Sequence, residues 1–286
     1  MAASNTWEVP LTLLNWCLEE RGAFLVTDSL LSIAGGDLVS FSTKVHQHPR
    51  LKLMVVGTGK HQLVRRFDDY VGAFTLARDI DGLVEEAKPI LMALWDGEVM
   101  AGEKGTATVY LFGFSSADRI VKGYRFASGD SFAPEALPLG FAIKPPLEDM
   151  EPINARAPNF GIDDLLYAAE LQHAEDLKRR TDEPVEIPTI TEDGSFNGAI
   201  GIGGDLVGYW IQTTDDDHVM MTSEVMGSLE GHDADEEACR KRGLAGPAVA
   251  VREIYRRQVV EMTGDFAGAA FADRWPIERM MEDAQQ

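Results

Sequence analysis

His46-Gln-His48 sets two imidazoles one residue apart, and on a β-strand that spacing turns both rings to one face, where they could ligate a metal. Pro49 ends the segment and no third ligand is evident, so both histidines are expected to be solvated. Asp215-Asp-Asp-His218 and Gly231-His-Asp-Ala-Asp-Glu-Glu237 could bind a hard cation through carboxylate oxygen. Neither matches the calcium loop pattern, and both read as exposed acidic loops. Cys17 lies beside Trp16 in an apolar run and reads as core packing, with nothing legible to lower its thiol pKa. Ser29 lacks a Gly-x-Ser-x-Gly elbow, which disfavours a serine hydrolase. Gly201-Ile-Gly-Gly204 leads into an apolar strand rather than a helix, the wrong context for dinucleotide binding. No cofactor and no metal is expected. Thr12, Asp28 and Lys44, taken singly, read as a strand residue, a turn former at a strand end and a strand-edge charge.

These residues belong to a chain of 286, a length of one or two domains, whose 45% hydrophobic content is enough for a sizeable core. With 26 basic and 47 acidic residues the formal charge is −21, which repels phosphate backbones and anionic lipid. Nucleic acid and membrane surfaces are therefore not expected partners. From Thr181 to Cys239 there are fifteen Asp and Glu residues and no Lys or Arg, so most of the net charge sits there. Two cysteines supply neither a disulfide framework nor a four-thiolate zinc site, and a reducing compartment fits them. No apolar run approaches the roughly 18 residues that span a bilayer, and the opening residues lack a signal-peptide pattern, so a cytoplasmic protein is expected.

The hydrophobic pattern predicts a hairpin of Leu11–Leu18 and Ala23–Thr27 around Glu20-Arg21-Gly22, with Gly22 taking a positive φ. Leu38–Ser42 and Leu51–Val56 read as further strands, the second ending at Gly57-Thr58-Gly59. Helical spacing follows from His61 to Phe74 and from Ile80 to Trp95, where Pro89 is expected to introduce a kink. Thr106–Ser115 and Arg119–Phe126 return to strand composition. A long helix is predicted from Gly161 to about Arg180, acidic in its first turn and basic in its last. Ala199–Ile202, Leu206–Thr213 and His218–Thr222 read as strands, and Ala248–Met262 and Pro276–Ala284 as helices. Clustered strands and clustered helices point to an α+β layered fold.

Leu25-Val-Thr-Asp-Ser-Leu, then Thr43-Lys44-Val45, then Leu53-Met-Val-Val-Gly-Thr-Gly59 before a helix together resemble the opening of proteasome β-type subunits and their bacterial relatives, the N-terminal-nucleophile (Ntn) hydrolases. The resemblance covers roughly residues 11–75 well and 76–215 in outline. It aligns Thr12, Asp28 and Lys44, spaced sixteen and sixteen, with that family's nucleophile, aspartate and lysine without a gap. A threonine hydroxyl becomes a nucleophile when a base takes its proton, and the base implied here is the threonine's own α-amine, freed by removal of residues 1–11. The lysine's charge keeps that amine unprotonated near neutral pH, and the aspartate orients the lysine. Backbone N–H groups at Thr58 or Gly59 are implied as the oxyanion site.

The resemblance implies a four-layer αββα sandwich over residues 5–222, followed by an acidic connector and helical C-terminal appendage over 223–286. It also implies a threonine-type peptidase or amidohydrolase acting on a peptide or amide, in a homo-oligomer or larger assembly. The alternative is the same fold without catalysis, kept as a structural component of an oligomer.

Overall fold

The computed structural model describes residues 12–32, 38–100, 106–156, 160–182, 189–190, 196–197, 200–214 and 218–241. In chain order the elements are β1 (Leu14–Glu19), β2 (Gly22–Asp28), β3 (Leu30–Ser32), β4 (Leu38–Phe41), β5 (Val45–His48), β6 (Leu53–Gly59), α1 (His61–Ala73) and α2 (Ile80–Met100). There follow β7 (Ala107–Ser115), β8 (Ile120–Ala127), β9 (Glu135–Ala136), β10 (Gly140–Lys144), α3 (Glu151–Asn154) and α4 (Ile162–Asp182). The last are β11 (Thr189–Ile190), β12 (Phe196–Asn197), β13 (Asp205–Thr213), β14 (Val219–Ser228) and α5 (His232–Lys241).

Two five-stranded antiparallel sheets dominate, one ordered β10-β1-β2-β13-β14 and the other β5-β6-β7-β8-β9. The sequence of β6 explains its place. Leu53 and Val55 pack with Leu63 and Phe67 of α1 and Leu83 of α2, while Met54 and Val56 pack with Leu14 and Leu25 of the other sheet. A strand buried on both faces needs an unbroken apolar run rather than alternation, and Leu-Met-Val-Val supplies it. In β1 the alternation is similarly two-sided: Leu14, Trp16 and Leu18 enter the space between the sheets, and Leu13 and Cys17 pack with Leu165 and Ala169 of α4. Each fully buried Leu or Phe contributes roughly 1.5–3 kcal/mol.

The first hairpin forms as read, but its turn is Glu20-Arg21, and Gly22 lies inside β2 opposite Glu19 without a positive φ. Gly22 is required by close approach: a Cβ there would stand 2.9 Å from the Ile211 carbonyl oxygen on β13. β4 joins β3 in a separate two-stranded sheet rather than either large one. Pro89 lies inside α2, which runs on to Met100. Residues 200–202 form no strand, because their N–H groups go to a side chain described below. The expected boundary at residue 222 falls within β14, which stays paired with β13 to Ser228. Gly231–Glu237 is not a loop: His232 opens α5, whose Cys239 packs against Leu30 and Phe41. Asp215–Asp217 and the helices expected at 248–262 and 276–284 lie outside the described residues. Among the described residues no helix is long and apolar enough to cross a membrane.

Candidate functional site

Asp28 ends β2, Lys44 stands one residue before β5, and Leu13 leads into β1; the three meet at the Asp28 carboxylate. Its Oδ1 accepts the Lys44 ammonium at 2.5 Å and the Leu13 backbone N–H at 3.2 Å, and its Oδ2 accepts the Gly203 N–H at 3.2 Å. Both side chains are buried, Asp28 at 1% and Lys44 at 4% exposure. Burial pushes the Asp28 carboxyl above its ordinary range and the Lys44 amine below its own, and in each case the partner's charge opposes the shift. Two of the expected residues thus come into direct contact. The backbone of the residue after Thr12 is bound to the same carboxylate, with Thr12 itself half-buried just ahead of β1.

The segment that reaches Asp28 from outside is 200–204. Its N–H groups at Ile200, Gly201 and Ile202 donate to the carboxylate of Asp176, which is fully buried on α4. Gly203 then donates to Asp28, and Asp205 N–H to the Ser29 hydroxyl at 2.8 Å. Gly204 adopts φ +79°, and a Cβ there would stand 2.5 Å from the Ser29 oxygen. Glycine is needed at that position for both conformation and space. Asp176 and Gly203 were not singled out from sequence. Their partners lie 24–26 and 175 residues away, and the one visible signal was the glycine run itself, read there for a different chemistry.

Thr58 and Gly59 lie on the other sheet, at the end of β6. Gly59 takes φ +89°, and a Cβ would collide with the Thr106 carbonyl oxygen at 2.2 Å, so only glycine makes this turn into α1. Gly57 has no room either, since a Cβ would stand 2.3 Å from Val64 of α1. Among the described residues neither Thr58 nor Gly59 shares a hydrogen bond with Thr12, Asp28 or Lys44.

The histidine pair is not solvated. His46 Nδ1 lies 2.9 Å from Asp68 Oδ2 and His48 Nε2 lies 2.8 Å from Asp68 Oδ1, with all three side chains largely buried. The missing third group comes from α1, twenty residues past His48. Cys17 is free and buried; burial raises its thiol pKa, as does the Glu19 charge, so its thiolate is disfavoured. On α5, His232, Asp233 and Glu236 bring ligand-type atoms within 4.8 Å of one another.

No family model matches the chain, and no curated protein does. Among solved structures it is similar to Anbu (ancestral beta-subunit) from Yersinia bercovieri. The identity is 12%, over 81% of this chain and 93% of that one, with a TM-score of 0.47.

Proposed function

We propose that the chain is a proteasome-like Ntn hydrolase, a threonine-type peptidase or amidohydrolase with Thr12 as nucleophile. The observation that carries this reading is the convergence on Asp28 of Lys44 and the main chain at Leu13. Three apolar cores support the αββα reading: α1 and α2 pack on one sheet, the two sheets pack on each other, and α4 packs on the other sheet. Among the described residues the sandwich runs from Thr12 through β14, and α5 follows. Cys17 and Cys239 are buried and not joined in a disulfide, which suits a reducing cytoplasm.

In this chemistry, removal of residues 1–11 frees the Thr12 α-amine. The amine takes the hydroxyl proton as the oxygen attacks the amide carbonyl, and the carbonyl electron pair moves to an oxygen met by N–H groups at Thr58 or Gly59. The proton passes to the leaving nitrogen as the C–N bond breaks, and water then cleaves the acyl ester. Lys44 disfavours protonation of the amine through its charge, and Asp28 holds Lys44 in place.

Intact-mass spectrometry of the purified protein, with a threonine-directed electrophile, tests the reading. A chain beginning at Thr12 and labelled there is expected, with labelling abolished in Thr12→Ala. A chain that retains residues 1–11 and takes no label rejects it.

A second reading, a non-catalytic building block, draws on the turn between α1 and α2, where Phe74 and Leu76 are 72% and 89% exposed. Large apolar side chains left open together mark association surfaces. Sedimentation then shows an oligomer that Phe74→Asp with Leu76→Asp dissociates while Thr12→Ala changes nothing. A monomeric wild-type chain excludes it.

A further inference from the structure

Lys144 closes β10 directly opposite Leu14 of β1, and cross-strand partners share a face. That face is the space between the sheets, where Leu14 packs with Val56 and Tyr110. Leu13 turns to α4 and Leu14 to the other sheet, so the two-residue period carries the same inner face back to Thr12. The Lys144 amine and the Tyr110 hydroxyl hydrogen-bond, and the amine lies over the Tyr110 ring. No carboxylate among the described residues pairs with it. A largely buried amine normally acquires a carboxylate, as Lys44 does, because an unpaired ammonium loses its hydration without recompense.

Its position is not loose. Lys144 N–H donates to Asn15 Oδ1, Asn15 Nδ2 donates to Gln172 Oε1 at 2.7 Å, and Gln172 Nε2 donates to the Pro145 carbonyl at 2.5 Å. Asn15 and Gln172 are themselves buried, at 0% and 2% exposure. A fully connected buried amide network fixes the end of β10 against β1 and α4. The charged groups near the amine are Arg125 of β8, paired with Asp130 and with Glu135 of β9. Burial first, and the Arg125 charge second, bring the Lys144 pKa down to about 8.

We propose that the Lys144 amine and the Tyr110 hydroxyl form a subsite for a carboxylate carried by the substrate, on the inner face of β1 and β10 beside Thr12. This rests on Thr12 being the reactive residue, and it narrows the substrate to amides bearing an acidic group. The amine and the phenol O–H both donate to the carboxylate, which supplies the counter-charge the fold omits. The chain's net charge of −21 disfavours adventitious carboxylate binding.

Isothermal titration calorimetry with N-acetylglutamate α-amide and its neutral counterpart, N-acetylglutamine α-amide, tests this without requiring hydrolysis. The acidic probe is expected to bind about tenfold more tightly or better. At pH 8.5 its binding takes up about three-quarters of a proton, read from the dependence of heat on buffer ionisation, because the carboxylate recharges the amine; at pH 6.5 uptake disappears. Lys144→Met abolishes the preference. Lys144→Arg keeps it and loses the proton uptake, since the guanidinium stays charged. Failure of the acidic probe to bind, equal binding of the two probes, or a preference that survives Lys144→Met overturns the subsite. Labelling of Thr12 reads out separately: reactive Thr12 without acid preference sinks the subsite alone, and acid preference with unreactive Thr12 sinks the hydrolase reading.

Discussion

Lys44 and Lys144 are two lysines of one interior with opposite treatment. Lys44 meets Asp28 at 2.5 Å, and that carboxylate also accepts two backbone N–H groups, so cation and anion satisfy each other inside the fold. Lys144 meets a phenol and faces a second cation, Arg125. The first arrangement holds four chain segments together, those of Leu13, Asp28, Lys44 and Gly203, and leaves the cation with an anion of its own. The second withholds the partner a buried amine needs, while the Asn15–Gln172 network holds the main chain at Lys144 and the Tyr110 hydroxyl holds its amine.

Removing the anion from the satisfied pair gives the largest expected effect. Asp28→Ala strands Lys44 and the N–H groups of Leu13 and Gly203, a loss of about 3–5 kcal/mol in chemical denaturation. Lys44→Met costs less, because Asp28 keeps its two N–H donors; a loss equal to that of Asp28→Ala would mean the pair matters only through its charge balance. Asp176→Ala frees the three N–H groups of 200–202, which turn to water as the segment loosens, so the expected cost of about 1–3 kcal/mol in total stays below that of Asp28→Ala while the Gly203 contact to Asp28 weakens. Hydrogen exchange at Gly203 checks it.

The unpaired amine makes stability depend on pH. With a folded pKa of about 8 against an ordinary 10.5, Lys144 releases its proton in the folded chain while the unfolded chain still holds one. The unfolded state therefore binds more protons between those values, and stability rises with pH across that window. Lys144→Met flattens the rise, whereas a wild-type stability that falls from pH 8 to 10 contradicts the contrast. The smallest effect belongs to Tyr110→Phe, which removes one hydroxyl and is expected to weaken acidic-probe binding while leaving the melting transition nearly in place.

That Asp28 and Lys44 meet was anticipated only through the resemblance, which aligned Thr12, Asp28 and Lys44 at matched spacing, whereas each taken singly reads as an ordinary strand or turn residue; the strands that carry them follow from apolar pattern. Asp68 was not legible as the partner of His46 and His48, because α1 carries it back across β5 only after packing Leu63, Phe67 and Val71 on the sheet. Lys144 gave no signal at all. Its strand is five residues long, and what distinguishes it, a phenol from β7 and the lack of a carboxylate, belongs to its neighbours in space.

From its order of residues alone this chain specifies where β1, β2, β6, β7, β8, α1, α2 and α4 form, that glycine must turn β6 into α1, and that its net charge is strongly negative, since backbone sterics, side-chain period and ionisation are local. Which buried charge receives a counter-charge was decided only by tertiary packing. Desolvation and Coulomb attraction depend on distance through space, and Asp28 is drawn to Gly203 across 175 residues of chain while Lys144 is brought to a hydroxyl instead of a carboxylate.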